Sequence, residues 1–127
     1  MKIKVLSFGF GNGMVDYADY VFDVRCLQNP YWVESLRPKR GTDAEVADYI
    51  FSHPESALFF GQALQLVQTA ASLAEKKQKE LLVVAFGCTG GHHRSVACAE
   101  RMAGELRKQY DVQVVHRDID KGDPPAV

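Results

Sequence analysis

The 127-residue sequence is short of every feature that marks an exported, membrane-embedded or polyanion-bound chain. Its three cysteines are an odd number, and no basic segment leading into an apolar one stands at its start. Free thiols in a reducing cytoplasm are therefore the expectation. The longest apolar run, Leu81 to Phe86, falls far below the ~18–20 residues that cross a bilayer, so no membrane partner is expected. Neither sign of charge dominates. Fifteen Lys+Arg stand against 16 Asp+Glu, which argues against a chain that lives on nucleic-acid phosphates or anionic lipid. Internal repeats and low-complexity tracts are also missing. What remains, with 46% hydrophobic and 24% charged residues, is the composition of an ordinary globular domain. A chain of this length is expected to form one domain that buries roughly two thirds of its unfolded surface.

Alternating Ile3 and Val5 against Lys2 and Lys4 predict a first strand over residues 1–8. It runs into Gly9, Gly11 and Gly13, whose spacing predicts a turn with backbone freed for positive φ. Tyr20 to Arg25 reads as a second strand, and residues 26–42, punctuated by Pro30 and Pro38, as loop. A short helix is expected over 44–51, capped by Thr42 or Asp43 and stopped by Pro54. From Glu55, the apolar positions Phe59, Ala63, Leu66, Val67, Ala70 and Leu73 predict one face of a helix reaching about Lys77. Leu81 to Phe86 lacks polar alternation, as a parallel strand covered on both faces does. A helix striped with Ala99, Met102, Ala103, Leu106 and Tyr110 follows, then a last strand over 112–117. The fold class is α/β: a three-layer domain around a small, mainly parallel sheet. It spans residues 1–120, with 121–127 expected as a flexible tail.

Chemistry concentrates in Cys88-Thr89-Gly90-Gly91-His92-His93-Arg94-Ser95, between the covered strand and the next helix. Open α/β sheets bind ligands at the carboxyl ends of their strands. Glycines there let backbone amides turn inward, and the helix N-terminus adds free N–H groups, so the segment predicts a strand–phosphate loop–helix unit. Arg94 offers a planar fork, Thr89 and Ser95 offer hydroxyls, and His93 is a further donor. No Gly-Lys-Ser/Thr follows at Walker spacing. Cys88 and Arg94 also match the Cys-x5-Arg loop of cysteine-dependent phosphatases, in which an acidified thiolate attacks phosphorus. In that alternative Asp23, Asp43 and Asp118 are candidate general acids. Cys88, His92 and His93 do not have familiar zinc spacing, and neither a metal nor a cofactor is expected. Cys26 and Cys98 are expected as packed thiols, His53 as a surface loop residue and His116 as a solvent-side strand residue.

The same loop, Gly87-Cys88-Thr89-Gly90-Gly91-x-His93-Arg94-Ser95-Val96, resembles the signature of the C-terminal domain of the RapZ family of RNase adapter proteins. Further similar segments are Ser7-Phe8-Gly9-Phe10, Ala18 to Arg25, Asn29-Pro30-Tyr31-Trp32, Leu36-Arg37-Pro38 with Gly41-x-Asp43, and His116-Arg117-Asp118. They occur in the family's order across residues 7–118. The resemblance implies a non-catalytic sensor or adapter that binds a phosphorylated small metabolite, such as glucosamine-6-phosphate, or phosphate and sulfate. It implies ligand contacts from Thr89, Gly90, His93 and Arg94, with Cys88 in the loop. It further implies bracing roles for Arg25, Arg37 and Arg117, a protein partner and a homodimer. Asn12 stands where enterobacterial members place a ligand-reaching histidine. The family's N-terminal Walker-type domain has no counterpart in this sequence, so nucleotide binding is not expected. RNA is the weaker implied partner, because the chain ends on the acidic stretch Asp118 to Asp123 and has few counterions to release there.

Overall fold

The computed structural model describes residues 1–122. In chain order the elements are β1 (Lys2–Gly9), β2 (Tyr20–Asp23), α1 (Ala44–Phe51), α2 (Pro54–Lys76), β3 (Leu81–Cys88), α3 (Arg94–Leu106) and β4 (Asp111–His116). Short 3-10 turns cover Phe10–Asn12 and Pro30–Trp32. The four strands form one sheet in the order β2-β3-β1-β4, with every neighbouring pair parallel. β3 and β1 are therefore central, and their registered ends place Gly9 beside Cys88. Burial on both faces explains why residues 82–86 are apolar throughout.

The helices share one side of the sheet. Ile3 and Val5 of β1 and Leu82, Val84 and Phe86 of β3 pack with Val46 and Ile50 of α1, Phe60 and Val67 of α2, and Met102 and Leu106 of α3. On the other side Leu6, Phe8 and Ala85 are covered by Val15, with Phe10, Ala18 and Val115 at the margin. The third layer of this α/β domain is thus the irregular segment between β1 and β2. That connection reaches β2 by passing β3, and α3 reaches β4 by passing β1, so the loops after β1 and β3 meet at one edge.

Several expectations change in three dimensions. The buried face of α2 consists of Ser56, Phe60, Ala63, Val67, Ala70, Ala71 and Ala74, whereas Leu66 and Leu73 point to solvent. A stripe counted from Phe59 straddled two faces. Of the three early glycines, Gly13 alone has positive φ, at 102°. Cys26 is exposed at the turn leaving β2, with its thiol 4.0 Å from the Asp23 carbonyl, while Cys98 is buried as expected. His116 is not on the solvent side. The parallel register pairs it with Ser7 under α3, where its Nδ1 lies 2.6 Å from Ser7 Oγ and its Nε2 3.4 Å from Glu100. His53 precedes α2, edge-on to Tyr49. Of the tail expected over 121–127, Lys121 places its Nζ 2.7 Å from Asp118 Oδ1. Its continuation, residues 123–127, lies outside the described residues.

Candidate functional site

The β3–α3 loop is wedged between β1 and the segment after β4, and glycine makes the contact possible. A Cβ on Gly9 would overlap the Gly90 carbonyl carbon and lie 2.6 Å from its oxygen and 2.7 Å from the Gly91 nitrogen. Gly91 itself has φ of +78°, a conformation that costs an L-residue of order 1 kcal/mol or more. Gly11 N–H donates to the Thr89 carbonyl at 3.0 Å, and Asn12 Nδ2 lies 3.5 Å from the Gly90 oxygen. The glycine turn after β1 therefore does face the 88–95 loop.

Arg94 opens α3, and its side chain, 5% exposed, runs inward instead of into solvent. Nη1 donates to the backbone carbonyls of Arg25 (2.6 Å) and Leu27 (3.3 Å). Nη2 lies 3.5 Å from Thr89 Oγ1, and Nε is buried with no partner. Burial, the largest influence, lowers the guanidinium's pKa; Cys88, Cys26 and Asp23 push it back up, and Arg25 pulls it down. Arginine keeps its charge across ordinary pH. One corner of the fork is thus locked to the scaffold, leaving its Nε donor unused. The first amide of α3 to find a carbonyl one turn back is Ala97, bonded to His93 at 3.0 Å. The N–H groups of Arg94, Ser95 and Val96 therefore have no partner of that kind within the helix.

The neighbouring side chains divide into lining and bracing. Thr89 is exposed at the mouth, Gly90 half-buried. Cys88 is buried at the base, its thiol donating to Ser95 Oγ at 3.1 Å. His93 turns its Nε2 to the Arg37 carbonyl at 3.1 Å, and burial draws its pKa below the usual histidine range. It joins the loop to the 37–39 turn as a neutral ring. His92 Nε2 lies 2.7 Å from the Lys121 carbonyl, and the two imidazoles sit 6.1 Å apart at 85°, in diverging directions. Gly41 N–H donates to the His92 carbonyl at 2.8 Å, and Arg40 Nε to the Ile119 carbonyl at 3.1 Å.

Two of the candidate acids, Asp23 and Asp118, are held in the ionised form. Asp23 is held below its ordinary range chiefly by the Arg25 guanidinium, which it meets at 2.7 and 3.0 Å. Burial would raise Asp118, but bonds from Arg117, Lys121 and the Gly9 amide outweigh it and hold its pKa at about 2. Asp43 occupies the N-cap position of α1 and accepts from Arg40 N–H at 2.8 Å.

Sequence reasoning located the loop but missed the carbonyls of Arg25 and Leu27, because main-chain acceptors have no residue signature. It also missed Asp118 and Lys121 as the clasp behind the loop. A lone acid beside Arg117 at a strand end was the available signal.

Fold and loop together define the class: a parallel α/β domain whose β3–α3 loop presents arginine and helix-terminal donors at the carboxyl edge of the sheet. The chain belongs to the RapZ C-terminal domain family, which matches it over residues 1–120. It is also similar to a "Nucleotide-binding protein" of Lactobacillus helveticus (strain DPC 4571), with 44% identity over 120 residues. That alignment takes in 94% of this chain and 41% of the relative, so the chain spans well under half of that protein's length.

Proposed function

We propose that the 88–95 loop binds the phosphate of a small phosphorylated metabolite, of the class of amino-sugar phosphates such as glucosamine-6-phosphate, and that the domain acts as a non-catalytic sensor or adapter. The observation that carries this is Arg94: anchored through Nη1 to two carbonyls, buried, and left with an unpartnered Nε beside the open end of α3. An oxyanion supplies the missing acceptor and neutralises a charge that burial makes costly. Thr89 and the α3 amides complete a donor set suited to phosphate oxygens, and Asn12 stands at the rim toward the rest of the ligand. Ionised Asp23 and Asp118 have no proton to give a leaving group, which favours binding over phosphate transfer by Cys88. The nucleotide in the Lactobacillus relative's name belongs to a protein mostly outside the aligned region, and this chain has no Walker loop.

The test is thermal unfolding with phosphate, sulfate, glucosamine, glucose-6-phosphate and glucosamine-6-phosphate. A ligand at 100 times its Kd stabilises by about 2.7 kcal/mol, a rise of several degrees in Tm for a domain of this size. Glucosamine-6-phosphate is expected to give the largest rise and glucosamine none. Arg94→Lys, which keeps the charge and loses the fork, should respond weakly and Arg94→Ala not at all. A wild-type response in Arg94→Ala would remove the site from consideration. Phosphomonoester turnover that disappears in Cys88→Ser would instead establish the enzyme.

A further inference from the structure

The carboxyl end of β2 carries an ion pair to which the phosphate-binding loop gives no role. Asp23, the last residue of the strand, is in register with Gly87, one residue before the loop begins. Arg25 holds it at both oxygens: Nε donates to Oδ1 at 3.0 Å and Nη2 to Oδ2 at 2.7 Å. The Arg25 amide also donates to Oδ1, at 3.0 Å. The same guanidinium lies over the Phe10 ring, 4.0 Å from its centroid. Phe10 opens the turn whose Gly11 amide bonds the Thr89 carbonyl. The carbonyl of Arg25, in turn, anchors Arg94 at 2.6 Å. Arg25 thus positions the loop's arginine through its main chain and a carboxylate through its side chain.

Both side chains of the pair are about half exposed, so their attraction adds little to stability. A carboxylate fixed within electrostatic range of Arg94 also works against a plain phosphate, because like charges repel. The placement becomes favourable when the ligand brings a positive charge of its own. We propose that Asp23 is the specificity-determining residue of this site and receives the ammonium group of a ligand whose phosphate lies on the 88–95 loop. The preferred ligand is then a zwitterionic phosphate ester, as amino-sugar phosphates are, and not the ester of a neutral sugar. This rests on the loop being a phosphate site. Among the described residues Oδ2 accepts from Arg25 alone, which leaves it a lone pair for a ligand N–H. Hydrogen bonds from Arg25 keep the carboxylate ionised against the opposing effect of burial, and Arg94 adds a weaker attraction. Two guanidiniums against one carboxylate leave a single positive charge. An ester of charge about −2 that also bears an ammonium group matches it.

Calorimetric titration of the 127-residue chain at about pH 6.5, where a primary amine is protonated, tests the assignment. The probes are glucosamine-6-phosphate, glucose-6-phosphate, which has a hydroxyl in place of the ammonium group, and N-acetylglucosamine-6-phosphate, which has a neutral amide there. Wild type should bind the first about fivefold more tightly than the other two, the factor that accompanies the ~1 kcal/mol a partly exposed ion pair reaches. Asp23→Asn, similar in shape and uncharged, should remove that ratio, and Asp23→Glu should keep part of it. Circular dichroism and Tm confirm that each variant folds. The ratio is the decisive quantity, since a carboxylate that only braced Arg25 would weaken all three esters alike when removed. A ratio that survives Asp23→Asn, or equal wild-type Kd values for the three esters, overturns the proposal and leaves the phosphate site standing. Failure of all three esters to bind wild type overturns both.

Discussion

Asp118 shows how much one side chain at the end of β4 can hold. Its fully buried carboxylate accepts from Arg117, Lys121 and the amide of Gly9, so a single residue ties the chain's end to the base of the loop. Its folded pKa of about 2 lies below the unfolded value of 3.8. The unfolded chain thus binds more protons between these pH values, and stability rises with pH across that window. The contribution, on the order of 2 kcal/mol, is fully present above about pH 5 and is lost as pH falls through 4 toward 2. Asp118→Asn should lower stability at neutral pH by a similar amount and flatten the acid limb of a denaturation series. An unchanged acid limb would show that the carboxylate does not carry that linkage. Arg94 belongs to the same scale. Its identity was readable from the loop motif, but its anchoring was not, because the partners are carbonyls of Arg25 and Leu27 far away in sequence.

Among the elements, β3 was the most legible and α2 the least. A strand in mid-sheet has both faces covered, so an unbroken apolar run admits few other interpretations. α2 is rich in Ala and Leu all round, and composition alone cannot say which stripe meets the sheet. The structure answers that Phe60, Val67 and the small residues Ala63, Ala70, Ala71 and Ala74 do, while Leu58, Leu66 and Leu73 are left outside. Val67→Ala, at a fully buried position, should therefore cost about 1–2 kcal/mol through lost burial and a residual cavity. Leu66→Ala, at an exposed position, should stay within about 0.5 kcal/mol. Urea denaturation of the pair checks this, and equal costs would put Leu66 in the core.

At the scale of the whole molecule, the site is where the loops after β1, β2, β3 and β4 converge. The parallel topology makes this unavoidable: four strands pointing one way deliver all their carboxyl ends to one edge. Gly9 is the point of closest approach, so Gly9→Ala should strain the Gly90–Gly91 backbone and displace Asp118 from the Gly9 amide at once. We expect a loss of about 1–3 kcal/mol, as for overpacking elsewhere, together with a weakened Tm response to glucosamine-6-phosphate. Stability lost with the ligand response intact would mean that the β1 end supports the fold without shaping the loop.

The amino-acid sequence by itself determined the order of elements, the parallel α/β class and the position of the glycine-rich loop at a strand end. These rest on local properties: side-chain periodicity, the backbone permissions of glycine and proline, and the length of apolar runs. Tertiary structure alone decided which face of α2 is buried, that His116 lies under α3, and that His93 braces a neighbouring turn. It also decided that Arg94 is held by main-chain oxygens. Each of these depends on partners distant in sequence, and a carbonyl or an uncovered helix face acquires its role only when the fold sets another surface against it.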